Sequence, residues 1–286
     1  MIDISKGRYW DEGIQLVDGC TPCSPGCDHC WSAGMTRRLK DNIPDEFGFT
    51  HHLTHNGIFN GKISLNPWFL KRFNTHKPKV FAIWNDLFHE DVPESFLDDT
   101  FMTINANIKN IYLLLTKRPV YMRNYLRQIS EDFLINAPIY FGLTVCNQQE
   151  ANEKIPIFLQ VPGKKFLSIE PMLGPIDLSR DCIEDKYHGG IPMICCFDAV
   201  ILGGETGHGA RPLHPDWVRS VRDQCAAAGV PFFFKQWGEY IPIDDDKTGG
   251  HKHLTLIGKQ WVDRVGRKKA GRELDGCFHD DLPWVK

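Results

Sequence analysis

The sequence predicts an α/β fold, a partial or complete barrel of about six to seven parallel strands, and two observations favour it. Near-continuous apolar runs, typical of parallel strands buried on both faces, occur at residues 80–84, 111–115, 139–143, 165–169, 199–202 and 231–234. Helical stretches lie between most of these runs, at residues 94–107, 120–129, 148–159 and 215–228. Strands and helices that alternate at this spacing are typical of βαβ units.

The residues before this repeat predict the first strand and the first helix of the barrel. Residues 13–18 are short and apolar and predict a first strand that ends at a cysteine-rich loop, and residues 31–40 predict a helix. Residues 41–78 are rich in Asn, His, Gly and Pro and have no clear period. They indicate an insertion with one short helix near residues 68–73.

The C-terminal part has a different character. We expect the barrel to occupy residues 1–238 and a C-terminal extension to occupy residues 239–286, where the sequence becomes polar and loses the barrel period. Residues 264–272 form a local basic run with two glycines. This run is either a solvated tail or a segment that binds phosphates near the barrel mouth.

Composition narrows the functional classes. The chain has 286 residues, 42% of them hydrophobic and 24% charged, with a formal net charge of −3, which argues against a protein that coats nucleic acid by bulk electrostatics. No apolar run approaches the roughly 20 residues that span a bilayer, and the N-terminus lacks an apolar signal region. We expect a cytoplasmic protein without a membrane partner, in which thiols stay reduced.

Four cysteines lie within eleven residues, and we call residues 18–31 the cysteine loop. Cys20, Cys23, Cys27 and Cys30 alternate with Pro22, Pro25 and Gly26, a pattern typical of a tight loop that turns several sulfurs toward one point. The pattern is consistent with three states of the loop. It could hold a [4Fe–4S] cluster, it could hold a zinc ion, or it could hold neither, with the cysteines as unliganded thiols or in a disulfide. For the other six cysteines we predict buried, small apolar roles.

Polar side chains follow each apolar run, where the C-terminal ends of barrel strands carry chemistry. They are Asn85, Asp86, His89, Thr116, Lys117, Arg118, Thr144, Asn147, Glu170, Gly203, Gly204, Glu205, Thr206, His208, Arg211, Lys235 and Gln236. We expect these groups to converge on the cysteine loop. The alternative is that the charged members pair around a barrel rim, that the histidines are ordinary loop residues, and that the two glycines form a strand-end turn.

The cysteine spacing resembles two related families. Cys23, Cys27 and Cys30 match the three-cysteine signature of the radical S-adenosylmethionine superfamily, with His29 where an aromatic residue is common. The loop and its flanks are also similar to the bacteriophage three-cysteine-motif proteins, a radical-SAM-like family whose spacing selects Cys20, Cys27 and Cys30. Further blocks of that family are matched at residues 84–89, 113–119, 170–176, 203–207, 211–217 and 234–238, so the resemblance spans roughly residues 10–283.

This resemblance implies a TIM-barrel-like radical SAM architecture, a [4Fe–4S] cluster and S-adenosylmethionine as cofactors, and an external electron donor. Cys27 and Cys30 are ligands in both patterns, and the third ligand is Cys20 or Cys23. The implied cofactor-binding residues are Asn85, Asp86, Thr144, Glu170, Gly203, Gly204 and Glu205. The implied substrate-binding residues are Lys117, Arg118, His208, Arg211 and Lys235, and the implied catalytic residues are Lys117, Glu170, Glu205 and Lys235. The Gly-Gly-Glu element normally follows the second strand in the superfamily, whereas here it follows the sixth.

The implied reaction is reductive cleavage of S-adenosylmethionine and hydrogen abstraction from a substrate. We expect this substrate to be a nucleic-acid base or a nucleotide, such as hypermodified thymidine. If the chain is phage-encoded, we expect the protein to act in the host cytoplasm. One alternative is a non-enzymatic, zinc-stabilised barrel that binds a protein or nucleic acid. Another is a barrel that processes sugars or phosphates, which leaves the cysteine loop unexplained.

Overall fold

The computed structural model describes residues 2–40, 53–183, 190–243 and 253–285. Its strands are β1 (Glu12–Ile14), β2 (Val17–Gly19), β3 (Thr54–His55), β4 (Ile58–Phe59), β5 (Ile63–Leu65), β6 (Val80–Ile83), β7 (Ile111–Thr116), β8 (Ile139–Thr144), β9 (Lys164–Ile169), β10 (Asp181–Ile183), β11 (Ile191–Pro192), β12 (Ala199–Gly203), β13 (Phe232–Gln236), β14 (Tyr240–Ile243), β15 (Leu254–Ile257) and β16 (Gln260–Arg264).

The α-helices alternate with the later strands. They are α1 (Trp31–Lys40), α2 (Glu94–Asn105), α3 (Pro119–Leu126), α4 (Glu131–Asn136), α5 (Gln148–Phe158), α6 (Pro215–Ala228) and α7 (Arg267–Ala270). Short 3₁₀ turns cover Ile4–Lys6, Pro25–Cys27, Pro67–Phe73 and Met193–Cys196. The short helix predicted near residues 68–73 is therefore confirmed as a 3₁₀ turn.

The main sheet confirms the predicted fold class. Seven strands follow the order β1-β6-β7-β8-β9-β12-β13, and the registers within it are parallel, with Val80 opposite Ile111 and Ala199 opposite Phe166. All residues of β6 and of β12 are buried, because helices cover parallel sheets on both faces. The order leaves β1 and β13 as edge strands, so the sheet is the partial form of the predicted barrel.

The described chain forms two compact units. The first comprises Met1–Asp3, Tyr9–Thr144 and Ile157–Lys165, and the second comprises Ile4–Arg8, Val145–Pro156 and Phe166–Lys286. In the first unit Phe73, Phe81 and Tyr112 pack ring against ring, with centroids 4.9 to 5.8 Å apart. Burial of each such ring stabilises the fold by about 1.5–3 kcal/mol, so this cluster fixes the 3₁₀ turn Pro67–Phe73 against β6 and β7.

The predicted first strand at residues 13–18 is wrong in one respect, because two strands replace it. β1 pairs with β6 in the main sheet, whereas β2 pairs antiparallel with β5 in a separate two-stranded ribbon. The break falls at Gln15 and Leu16, whose carbonyl groups accept hydrogen bonds from Asn66. Part of the predicted insertion, residues 41–52, lies outside the described residues.

The C-terminal part contains structure that the sequence did not predict. In the second unit β14, β16 and β15 form an antiparallel sheet, and the short helix α7 follows it. Farther along, Asp280 pairs with Phe233 of β13, and Trp284 packs edge-on against Phe166. The boundary predicted at residue 238 stays a prediction, and residues 244–252 of the extension lie outside the described part.

Within the described ranges, no helix combines the length and apolar character needed to cross a membrane.

Asn110 ties the insertion to the sheet, and its loss is the first prediction. The side chain is fully buried, donates to the carbonyl of Phe73 at 2.7 Å, and accepts from Thr75 Oγ1 at 2.8 Å and Lys79 N at 3.1 Å. Asn110→Ala leaves these buried groups unpaired, so we expect it to lower the free energy of unfolding by about 1–3 kcal/mol. Denaturant unfolding measures this loss, and Asn136→Ala, which removes one exposed hydrogen bond, is the control.

An Asn110→Ala protein that unfolds at the same denaturant concentration as Asn136→Ala would contradict the assigned role.

Candidate functional site

The cysteine loop is anchored at its first residues by β5 and Asn66. Asn66 donates to Asp18 Oδ2 at 2.9 Å, and the amide of Gly61 donates to the carbonyl of Cys20 at 3.2 Å. Gly19 has φ +82°, and a Cβ at this position would lie 2.1 Å from the carbonyl oxygen of Lys62. Glycine is therefore required immediately before Cys20, because the two backbones touch.

The middle of the loop is organised by Ser24. Its Oγ accepts from the amide of Gly26 at 3.2 Å and caps the 3₁₀ turn Pro25–Cys27. The amide of Cys30 then donates to the carbonyl of Cys27, and the carbonyl of Cys30 accepts from Gly34 in the first turn of α1. Local hydrogen bonds therefore determine the spacing between Cys27, Cys30 and the helix.

The four loop cysteines are thiols and form no disulfide within the described chain. Burial raises the pKa of Cys20 to about 11, although the charge of Arg118 opposes this shift. A hydrogen bond from Cys23 lowers the pKa of Cys27 to about 5, with help from the charge of Lys117. The lowered pKa favours the thiolate form of Cys27, which is the form that binds metals.

Arg118 contacts Cys20, the first cysteine of the loop. Its Nη1 is 3.4 Å from Cys20 Sγ and 2.9 Å from Asp86 Oδ2, and its Nη2 is 2.6 Å from the carbonyl oxygen of Thr21. Its Nε donates to Glu90 Oε2 at 2.6 Å. Burial works to lower the pKa of Arg118, but the charges of Asp86 and Cys20 outweigh it, and the pKa lies above its ordinary value.

Asp86 is held by its own neighbours. Its carboxylate accepts from Thr116 Oγ1 at 2.6 Å and from the amides of Phe88 and Lys117, in addition to Arg118. These residues follow the ends of β6 and β7, two adjacent strands. The sheet therefore fixes the carboxylate, and the carboxylate fixes the guanidinium.

His89 and Asn85 connect the same region to the loop. His89 Nε2 lies 2.9 Å from Thr21 Oγ1 and 3.1 Å from Thr21 N, and Asp91 N donates to Nδ1. Burial and then Arg118 lower the pKa of His89, so the ring is neutral at physiological pH. Asn85, with φ +56°, donates to the carbonyl of Val17 and accepts from Ser32 Oγ, which joins β2 to α1.

The second unit brings together another part of the predicted site, the Glu170 cluster. Lys235 Nζ lies 2.8 Å from the Glu170 carboxylate, and Gln236 Nε2 donates to Oε1 at 3.2 Å. The two charged side chains are about one-fifth exposed. Gly203 packs beside this cluster, and a Cβ there would make an ordinary van der Waals contact, 3.4 Å from the Glu170 carboxylate.

Glu205 and Arg211 form a separate ion pair in this unit. Glu205 is buried and accepts from Arg211 Nη2 at 2.6 Å, from Nε at 2.9 Å and from the Arg211 amide at 2.8 Å. Gly204 has a packing role, because a Cβ there would lie 1.9 Å from the carbonyl oxygen of Trp237. Gly204 therefore packs against the backbone of Trp237, and Glu205 pairs with Arg211.

Three predicted residues have simpler surroundings. Thr144, at the end of β8, is buried, and its Oγ1 has no hydrogen-bond partner among the described atoms. His208 is exposed in the segment between β12 and α6, and Lys117 is half-buried beside Asp86. The predicted convergence on the cysteine loop stays a prediction, because each unit assembles its own set of these residues.

The scattered cysteines divide into two groups. Cys146 and Cys225 are buried as predicted, whereas Cys195 and Cys277 are exposed and Cys196 is half-buried, so the prediction is wrong for those three. The side chain of Cys182 lies outside the described set. In the described residues, no group of three or more His, Cys, Asp or Glu side chains is arranged as a metal site.

The sequence analysis missed Glu90, Thr21 and Ser32, which complete the contacts around the loop. Glu90 and His89 sit in one short stretch with Asp86, and this proximity was the available signal. Thr21 contacts Arg118 through its backbone carbonyl, which has no signature in a sequence, and His89 through its amide and Oγ1.

Comparisons with known proteins add one finding. Residues 5–283 match the family described as Protein of unknown function (DUF5131). No curated protein and no solved structure matches the chain. These comparisons do not test the resemblance to radical SAM and phage three-cysteine-motif proteins, which stays a prediction.

Gly204→Ala tests the packing role of the glycine pair. The added methyl group would overlap the Trp237 carbonyl, so we expect the free energy of unfolding to fall by about 1–3 kcal/mol. Gly34→Ala is the matched control, because a Cβ at this helical position meets nothing within 4 Å, and we expect it to stabilise the protein by up to about 1 kcal/mol. Thermal unfolding of both variants measures the difference, and equal stability would contradict the assignment.

Proposed function

The chain belongs to DUF5131, a family of unknown function, and we propose that it is a radical S-adenosylmethionine enzyme that modifies or isomerises a nucleic-acid base or a nucleotide. The observation that carries this proposal is the cysteine loop. Four cysteines lie within eleven residues, none of them is in a disulfide in the described chain, and the loop follows β1 of the parallel α/β sheet after the short ribbon strand β2. Short cysteine runs of this kind hold iron–sulfur clusters.

The donor chemistry of the loop fits a thiolate-bound cluster. Cys27 and Cys30 would be two ligands, with Cys20 or Cys23 as the third. The low pKa of Cys27 supports this assignment, because ligation requires the deprotonated sulfur. The cation of Arg118 beside Cys20 also favours a negatively charged sulfur there.

When bound, a [4Fe–4S] cluster with S-adenosylmethionine supplies the electron and the hydrogen-abstracting species of this chemistry. The protein's own residues hold and orient the reactants. Gly19, Asn66 and Ser24 keep the loop in one conformation, and Lys117 places a positive charge near Cys27. Rigid placement of this kind is the protein's main contribution to a reaction that a cofactor performs.

Proton transfer is assigned to the Glu170 cluster. Lys235 and Glu170 are in direct contact and partly exposed, so a proton can pass between them and a substrate. Glu205 is a weaker candidate for this role, since Arg211 occupies both of its oxygens. Within the proposal, Glu205 and Arg211 shape the loop after β12, and Thr144 Oγ1 is a buried polar group at the end of β8.

A nucleic-acid substrate is supported by exposed positive charge. Arg264, Arg267, Lys268 and Lys269 are all exposed in the second unit, where they can contact phosphates. Arg272, at the end of the same run, is instead buried and donates to the carbonyl of Phe234.

Iron analysis tests the proposed cofactor. Protein purified and reconstituted without oxygen should contain about four irons and four sulfides per chain. With dithionite and S-adenosylmethionine it should release 5′-deoxyadenosine. Cys27→Ser and Cys30→Ser should lose both properties, whereas Cys277→Ser, an exposed cysteine far along the chain, should retain them.

Stoichiometric zinc without iron would overturn the enzyme proposal and support the zinc-stabilised barrel instead. Iron in both loop variants at the level of the control would show that the loop is not the ligand set.

The substrate class has its own test. Anaerobic enzyme is incubated with phage DNA and S-adenosylmethionine, and the digested nucleosides are compared by mass spectrometry with a Cys27→Ser reaction. We expect a new nucleoside that depends on the cosubstrate. Cleavage of S-adenosylmethionine with an unchanged nucleoside profile would exclude DNA as the substrate and leave the radical reaction intact.

A further inference from the structure

We infer that Arg118 is a positioning residue for the cysteine loop, and that it donates a hydrogen bond to the Cys20 sulfur rather than binding the substrate. The part of this inference that concerns a cluster rests on the proposed function. The part that concerns the conformation of the loop stands on the described contacts alone.

The guanidinium is almost fully committed within the protein. A guanidinium has five N–H donors, and Arg118 directs four of them at Glu90, Asp86, Cys20 and the carbonyl of Thr21. The residue is 7% exposed. An anionic substrate group would have to displace these partners, so a substrate role is disfavoured on geometric grounds.

The charges around Arg118 lead to the same conclusion. Asp86 and Glu90 both form ion pairs with it, at 2.9 and 2.6 Å, so two carboxylates already face one cation. A third anion at this position would meet net negative charge. The Nη1 group that pairs with Asp86 also lies 3.4 Å from the Cys20 sulfur, so the guanidinium that holds the two carboxylates also contacts the cysteine loop.

The contact between Arg118 and Cys20 is fixed by hydrogen bonds among residues at the ends of β6 and β7. Asp86 accepts from Thr116 Oγ1 and two backbone amides, and Arg118 N donates to Thr116 Oγ1 at 2.8 Å. These bonds fix the fork of Arg118 at the ends of β6 and β7. Through Nη1 and Nη2 the fork then contacts two consecutive loop residues, Cys20 and Thr21.

A fixed donor has a chemical consequence for a sulfur ligand. Hydrogen bonds to ligand sulfurs and nearby charges tune the reduction potential of iron–sulfur clusters. Arg118 stabilises negative charge on Cys20, and it should stabilise the reduced, more negative cluster most. Loss of the fork should therefore shift the potential to more negative values.

The contact also distinguishes the two candidate ligands. Arg118 donates to Cys20, whereas Cys23 is exposed and its thiol is directed to Cys27. Arg118 therefore gives Cys20 a direct hydrogen bond, whereas it interacts with Cys23 through charge.

Arg118→Lys and Arg118→Gln test the inference, with Arg123→Gln as the control. Lysine keeps the charge but lacks the planar fork, so it cannot contact Asp86, Cys20 and Thr21 together. Arg123 is half-buried and contacts Asn124 and Gln160, neither of which belongs to the loop. Cooperative thermal unfolding first shows which variants are folded. If Arg118→Gln is not folded, the measurements below are made on Arg118→Lys alone.

The first readout uses metal-free protein. Hydrogen exchange of the amides in residues 19–24 should be at least about tenfold faster in the Arg118 variants than in Arg123→Gln, because the loop loses its anchor. Equal exchange in all three proteins would overturn the positioning role, whatever cofactor the protein binds.

The second readout uses reconstituted protein. We expect the Arg118 variants to retain less iron than Arg123→Gln and to show a more negative reduction potential, with the larger shift in Arg118→Gln. Wild-type protein that binds no iron would refute the proposed function. Wild-type protein that binds iron, with the same potential in every variant, would refute the hydrogen bond to Cys20 as a tuning contact and leave the proposed function standing.

Discussion

The ion pair between Arg118 and Asp86 is the interaction on which the cysteine loop depends. Both side chains are nearly inaccessible to solvent, and each is bonded to several further groups. Buried ion pairs contribute little net stability compared with apolar residues, but removal of one partner typically costs about 3–5 kcal/mol. The pair therefore acts mainly through specificity, because it allows one arrangement of the loop above the ends of β6 and β7.

The two charged clusters differ in the freedom of their members. In the first unit, Asp86 and Arg118 have almost all of their hydrogen-bonding capacity occupied by protein. In the second unit, Glu170 and Lys235 pair with each other and Gln236 also donates to Glu170, but the two charged side chains remain about one-fifth exposed. A group that must exchange protons needs such access, whereas a group that positions others needs to be fully bonded. Burial and bonding thus distinguish side chains that are fully bonded within the protein from side chains that retain solvent access, although both kinds look equivalent in the sequence.

Most of the fold could be predicted because its strands are buried on both faces. The apolar runs at β6, β7, β8, β9, β12 and β13 need no partner to be recognised, and the bounds of α1 and α6 follow from their own sequence. The break between β1 and β2 could not be predicted, since it depends on Asn66, about fifty residues away. The antiparallel sheet of β14–β16 has short, half-exposed strands, which give a weak apolar pattern.

The candidate site was predictable in its residues but less so in their contacts. Asp86 and Arg118 were named from their place after strands, yet their mutual bond and the contact with Cys20 are tertiary. Glu205 and Arg211 were also named, and the structure shows them paired with each other. A linear pattern identifies which groups are polar at strand ends, and three-dimensional packing decides which of them neutralise one another.

The distance along the chain between Cys20 and Arg118 has a consequence for the order in which the protein matures. The loop emerges early in synthesis, but its anchors arrive later: Asn66 first, then Asp86 and His89, and finally Arg118, 98 residues after Cys20. Until Arg118 has been synthesised, the loop has only part of the set of contacts that holds it in the folded protein. The contact between Arg118 and the loop can therefore form only after β7 has been synthesised, so the loop acquires its complete set of bonds late.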